Sequence, residues 1–151
     1  MYISTRTRQD LLTTISFLSK RVLNLTQEDW RKLQRALNNL DKTQRLRLGM
    51  TTPMTVRTYI DASFAVHSDF KSHTGICITM EIGCFYAKST GQKNNTTSSC
   101  QAEVVAFAKG LQQSIYSSYF LAGQGYKIPP IILNQDNQFT IKLISNGKSN
   151  S

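Results

Sequence analysis

Apolar residues recur along this chain with two different periods, and the change falls near residue 57. Over residues 10–22 the period is helical: Leu11, Ile15, Leu18 and Val22 follow at spacings of four, three and four, with Asp10 placed to cap. A turn is expected at Asn24. Thr26-Gln27-Glu28-Asp29 then reads as a capping box with Asp at the usual Glu position, and Leu25 with Trp30 fits a hydrophobic staple. Trp30, Leu33, Leu37 and Leu40 continue one apolar stripe, with Arg31, Lys32 and Arg35 off it. Such a stripe reads first as core, and the basic face beside it as solvated, though it also suits a nucleic-acid backbone.

From Thr58 the period becomes two. The pattern predicts strands at 57–66, at 75–80 and at 84–88, with the turn between the last two at Gly83. Short links make these an antiparallel meander. Residues 89–98 read as a polar loop. A long helix is predicted from Ser99 to Ala122, capped by Ser98 or Ser99 and ended by Gly123 and Gly125, with Val104, Ala108, Leu111, Ile115 and Tyr119 as its buried face. After Pro129-Pro130, Ile131–Gln135 reads as a fourth strand, apolar enough at its start to be central and buried. A short helix over 138–145 closes at Gly147. No internal repeat and no glycine-rich phosphate loop is present.

The predicted order is thus a helical hairpin followed by β-β-β-α-β-α. The fold class is α/β, of the α+β kind with a mixed sheet. The connector from Gln44 to Val56, with Gly49 and Pro53 as breakers, marks a boundary between residues 1–50 and residues 57–151. Two helices cannot easily bury a core by themselves, so the first segment is expected to pack on something else.

Composition adds partners. The net charge is +9; residues 1–50 hold ten Lys/Arg against four Asp/Glu, and residues 51–151 hold eight against five. A basic excess attracts polyanions, nucleic acid first among them. No apolar run approaches the roughly 20 residues of a membrane span, so no membrane partner is expected. The first residues lack the apolar block of a secretory signal, which gives an intracellular location, cytoplasm or nucleus. Asn24-Leu25-Thr26 and Asn94-Asn95-Thr96 match the glycosylation sequon, without consequence in a protein that is not secreted. Cys77, Cys84 and Cys100 are an odd number without Cys-x-x-Cys spacing, so neither a disulfide framework nor a zinc site is indicated, and Cys77 and Cys84 read as ordinary strand thiols.

The candidate chemistry lies in the acids. Residues 51–151 contain five: Asp61, Asp69, Glu81, Glu103 and Asp136. Asp69 and Glu81 fall in turns. Asp61 sits inside a strand, Glu103 in the first turns of the long helix, and Asp136 at the end of the fourth strand. Each has a bland reading: Asp61 as acceptor from a turn, Glu103 as an acid favoured by a helix N-terminus, Asp136 as a helix cap. Together they suit hard cations, Mg²⁺ or Mn²⁺, which take carboxylate oxygens. His67 and His73 read as turn residues, not ligands.

Several stretches also resemble a known family. They are Arg6-Thr7-Arg8-Gln9-Asp10-Leu11; Ser16 to Val22 and Thr26 to Leu40; Tyr59-Ile60-Asp61-Ala62-Ser63-Phe64-Ala65; Lys71-Ser72-His73-Thr74-Gly75; Gln92-Lys93; Ser98-Ser99-Cys100-Gln101-Ala102-Glu103; and Gln135-Asp136-Asn137-Gln138. In order and spacing they resemble the end of a copia-type retrotransposon polyprotein. That resemblance implies the tail of a reverse transcriptase over 1–50 and a ribonuclease H-like domain over 57–151, incomplete at its C-terminus. It implies a metal-dependent endonuclease acting on the RNA strand of RNA–DNA hybrids, with Asp61, Glu103 and Asp136 as catalytic metal ligands clamping a phosphate between two divalent ions. It implies as partners RNA–DNA hybrid or other nucleic acid and the reverse transcriptase portion of the same polyprotein, whose catalytic core is absent here. Gln101 stands where the family carries a second Glu, and the family continues beyond Ser151. The rival readings are a catalytically dead remnant and a basic nucleic-acid-binding module.

Overall fold

The computed structural model describes residues 2–46, 49, 54–67 and 69–147. Pro53 and the Ser151 terminus lie outside the described residues. The chain forms two compact units, Met1–Gly49 and Met50–Ser151.

The first unit is helical. It contains α1 (Tyr2–Arg6), a 3-10 turn at Gln9–Leu11, α2 (Leu12–Ser19) and α3 (Gln27–Lys42). Neither α1 nor the break before α2 is visible in the apolar spacing. Asp10 does not cap a helix. It lies in the 3-10 turn and takes two hydrogen bonds from the Arg8 guanidinium, at 2.9 and 2.7 Å. Arg8 also donates to the Thr43 hydroxyl at 2.7 Å, and Asn39 donates to Asp10 at 3.3 Å, so one arginine ties the turn to the end of α3.

The helix expected to reach Val22 stops at Ser19, and Val22 is exposed. The chain turns there, bringing Arg21 within 3.1 Å of the buried Asp29 carboxylate. The capping box forms as its spacing predicts: the Asp29 amide donates to the Thr26 hydroxyl, and the Asp29 carboxylate accepts from the Thr26 amide. The staple and the apolar stripe do not hold within this unit. Leu25, Trp30 and Leu37 are more than half exposed, and the face of α3 that is buried carries Asp29 and Ala36.

The second unit is an α+β domain on a four-stranded mixed sheet. Its elements are β1 (Val56–Ser63), β2 (His73–Met80), β3 (Gly83–Gly91), α4 (Ser99–Gly123), β4 (Ile132–Asn134) and α5 (Gln138–Asn146). The sheet order is β3-β2-β1-β4. The first three strands form the antiparallel meander, and β4 joins β1 in parallel. The β2–β3 turn is made by Glu81 and Ile82, with Glu81 at φ +53°, and Gly83 begins β3. β4 is three residues long and lies at the end of the strand order, not at its centre. The apolar run expected there begins with Ile131, which lies just before β4 and packs against the core.

Alternation sends Val56, Thr58 and Ile60 of β1, and Ile76, Ile78 and Met80 of β2, to one buried face. Each of the larger apolar side chains contributes roughly 1.5–3 kcal/mol by leaving water. Helix α4 covers that face, chiefly over β1. The face it buries differs from the apolar stripe: it is Ala102, Glu103, Ala106, Gly110, Ser114 and Ser117, while Ile115 and Tyr119 are exposed. The reason is the close approach of helix to strand. A Cβ on Gly110 would lie 2.6 Å from Ile60 Cδ1, and the Ser114 and Thr58 hydroxyls are 2.6 Å apart. Large side chains do not fit in that gap, so they turn outward.

Candidate metal centre

Parallel pairing of β1 with β4 sets two of the acids level. Tyr59 pairs with Asn134, and Asp61 and Asp136 each follow two residues later, where the ladder has ended. Both carboxylates therefore leave the same end of two neighbouring parallel strands, the end at which open sheets commonly hold ligands. The third acid comes from α4. Ser98 caps that helix by accepting from the Gln101 amide at 3.1 Å, which places Glu103 in its first two turns. One oxygen from each of Asp61, Glu103 and Asp136 lies within 4.8 Å of the others.

The three are unequal. Asp61 and Asp136 are exposed, whereas Glu103 is buried. Burial raises the Glu103 carboxyl above the ordinary carboxylate range. The Gln135 side chain and the Ala62 backbone N–H oppose that shift by hydrogen bonding, and the charges of Asp61 and Asp136 add to it. Gln135 Nε2 donates to Glu103 at 3.1 Å, while its own oxygen accepts from the Asn137 amide at 3.1 Å. Asn137 in turn caps α5, accepting from the Thr140 amide at 2.9 Å. A chain of amides thus runs from the start of α5 to the buried acid and fixes its orientation.

A second buried network holds the base of α4. Gln92, at the exit of β3, donates to the Thr74 hydroxyl at 3.1 Å and to the Ala102 carbonyl at 2.9 Å. The hydroxyls of Ser72 and Thr96 meet at 2.7 Å beneath the loop that leads into the helix. Neither Gln92 nor Gln135 stands out as functional by charge or periodicity. Both fall in stretches quoted above for the family resemblance, Gln92-Lys93 and Gln135–Gln138, each flanking a segment that delivers an acid, but no role attached to either glutamine there.

The donor set is three carboxylates on three elements, of the kind that suits a hard divalent cation. The remaining candidates lie elsewhere. Asp69 pairs with Lys71 at 2.7 Å in the β1–β2 connection, and Glu81 sits in the turn described above. His73 is not in a turn but begins β2, where it hydrogen-bonds His67 at 2.9 Å and Ser89 at 2.8 Å. On the flank of α4 lies a cationic groove lined by Ile76, Tyr86, Lys88, Lys109, Gln112 and Tyr116. Burial, then the charges of Lys88 and Lys93, hold the Lys109 ammonium below its ordinary value.

A secreted RxLR effector protein 161 of Plasmopara viticola is 28% identical to this chain over 119 residues, covering 77% of the chain and 84% of the effector. No family model matches the chain. No solved structure matches it.

The relative corrects four expectations. Because it is a secreted effector, the assignment to a copia-type retrotransposon polyprotein does not stand. The function that came with it, a ribonuclease H or its dead remnant, falls as well, and so do the reverse transcriptase and polyprotein assignments. The intracellular location is likewise overturned. The stretches that carry the resemblance are short. A polar pair ahead of Ala-Glu at a helix start, or an Asp in a strand of alternating residues, meets local needs that any α+β domain has.

Proposed function

We propose that the second unit binds a hard divalent cation, Mg²⁺ or Mn²⁺, through Asp61, Glu103 and Asp136, and through it a phosphate-bearing polyanion, with nucleic acid as the partner class. The observation that carries this reading is the convergence of the three carboxylate oxygens within 4.8 Å, with the buried member held by Gln135. Clustered acids repel one another, and a cation between them removes that cost. Three carboxylates leave coordination positions for water or phosphate oxygens, which is how Mg²⁺ is commonly held. The groove with Lys88 and Lys109 supports the polyanion, since Tyr86 and Tyr116 beside it offer rings for stacking. The finer description of the fold as ribonuclease H-like belongs to the same proposal. It rests on the β-β-β-α-β-α order and the β3-β2-β1-β4 sheet, and it brings no nuclease activity with it.

The test is thermal unfolding with and without metal. At a Mg²⁺ or Mn²⁺ concentration 100 times the dissociation constant, the chain gains about 2.7 kcal/mol. Asp61→Asn and Asp136→Asn lose most of that gain while melting normally without metal. Equal metal-induced shifts in the wild type and both variants would end the proposal.

A second reading concerns location and is favoured by the effector relative: the chain acts outside the cell that makes it. Asn24 and Asn94 of the two sequons are both exposed. A glycan on either, detected as a mass loss when protein from culture fluid is treated with an amidase for N-linked sugars, supports secretion. Protein confined to washed cells counts against it.

A further inference from the structure

We propose that Cys77 and Cys84 form an oxidation site: a cross-strand dithiol that small-molecule disulfides such as oxidised glutathione convert to an intramolecular disulfide. The two thiols come from adjacent strands, and their Sγ atoms are 2.8 Å apart. Register explains the meeting. Ile76, Ile78 and Met80 point to the buried face, so Cys77 and Thr79 point to the other. Cys84 pairs with Thr79, and an irregularity between Ile78 and Thr79 leaves Phe85 as an extra residue on β3. Cys84 therefore shares a face with Cys77 on the diagonal, the direction in which side chains two positions apart approach. Both side chains are partly exposed, so a small oxidant has access.

The pair is chemically asymmetric. The Cys77 thiol donates to Cys84 Sγ, and the Cys84 thiol donates in turn to the Tyr86 carbonyl at 3.3 Å; the hydrogen bond from Cys77, with backbone hydrogen bonds from Tyr86 and Ile78 that favour the thiolate, brings the Cys84 thiol down to about 7. The same hydrogen bond, followed by burial, pushes Cys77 up. Cys84 is thus the attacking group near neutral pH. Its thiolate displaces one glutathione thiolate from the oxidised dimer and forms a mixed disulfide. Once Cys84 no longer accepts the Cys77 proton, that proton passes to the departing glutathione. Cys77 sulfur then attacks Cys84 Sγ and releases the second glutathione. Two protein thiols lose two electrons, and one glutathione disulfide gains them.

The experiment uses the full chain carrying Cys100→Ser, so that only this pair can join. It is equilibrated in glutathione buffers of graded redox ratio, folded and in concentrated guanidinium, quenched with an alkylating agent and weighed intact. The folded chain is expected to lose 2 Da and both alkylation sites at a ratio at least tenfold more reducing than the unfolded chain requires, and to regain them with dithiothreitol. Cys77→Ser is expected to stop at a glutathione adduct on Cys84, and Cys84→Ser to take up glutathione more slowly. Half-oxidation at the same ratio folded and unfolded, or glutathione adducts without the 2 Da loss, overturns the proposal.

Discussion

Glu103 and Asp29 are both buried acids, yet their surroundings send their titrations in opposite directions. Burial raises the Glu103 carboxyl, so its contribution to stability is complete below its unfolded value of about 4.3 and is lost as pH rises through the folded value. Glu103→Gln is therefore expected to melt higher than the wild type at pH 7 in chelator, with the difference vanishing near pH 3. Added Mg²⁺ should close that gap by stabilising only the wild type. Calorimetry across pH 3–8 checks both, and a variant that melts lower at pH 7 in chelator contradicts the electrostatics described. Asp29 is held below the ordinary range by the Thr26 side chain and backbone, with Arg21 adding to them. Its contribution is present above about pH 3.9 and fades as pH falls through the folded value. Asp29→Asn should thus lower the melting temperature at pH 7 and less so at pH 3. The Asp29 cap was legible in the sequence because both partners lie three residues apart. The surroundings of Glu103 were not, since its hydrogen-bond partners Gln135 and Ala62 come from distant segments.

Among the elements, α4 shows how an apolar stripe misleads. Its large residues recur at helical spacing, but the side facing β1 is the one that lacks them. Gly110 decides this, because any side chain there meets Ile60. Gly110→Val is expected to destabilise the chain by about 1–3 kcal/mol through overpacking, despite valine's better helix propensity. Denaturant titration measures it, and pairing the change with Ile60→Val should recover part of the loss. Tyr119→Ala, on the exposed stripe, should stay within about 0.5 kcal/mol of wild type. The strand boundaries were readable because alternation is a local property. The place of β4 beside β1 was not, since three apolar residues satisfy an edge strand and a central one alike.

At the scale of the molecule, the +9 charge is divided between two compact units. If the groove on α4 holds phosphates, Lys88→Ala with Lys109→Ala will flatten the salt dependence of oligonucleotide binding. Every single-strand phosphate that is no longer neutralised takes about 0.7 from the slope of log affinity against log salt. Fluorescence anisotropy over a salt series reads this, and an unchanged slope places the polyanion elsewhere. Amino-acid order by itself determined the helical start, the meander, the capping box, the long helix with its serine cap and glycine stop, and which three acids were worth following. All of these rest on neighbours within one turn or one strand. Tertiary structure alone decided which face of each helix is buried, that parallel pairing brings Asp61 level with Asp136, and that Cys77 meets Cys84. Those outcomes depend on close approach between segments far apart in the chain, and short motifs carry no record of that distance. The same gap explains why short stretches of the chain resembled a family to which the secreted relative does not point.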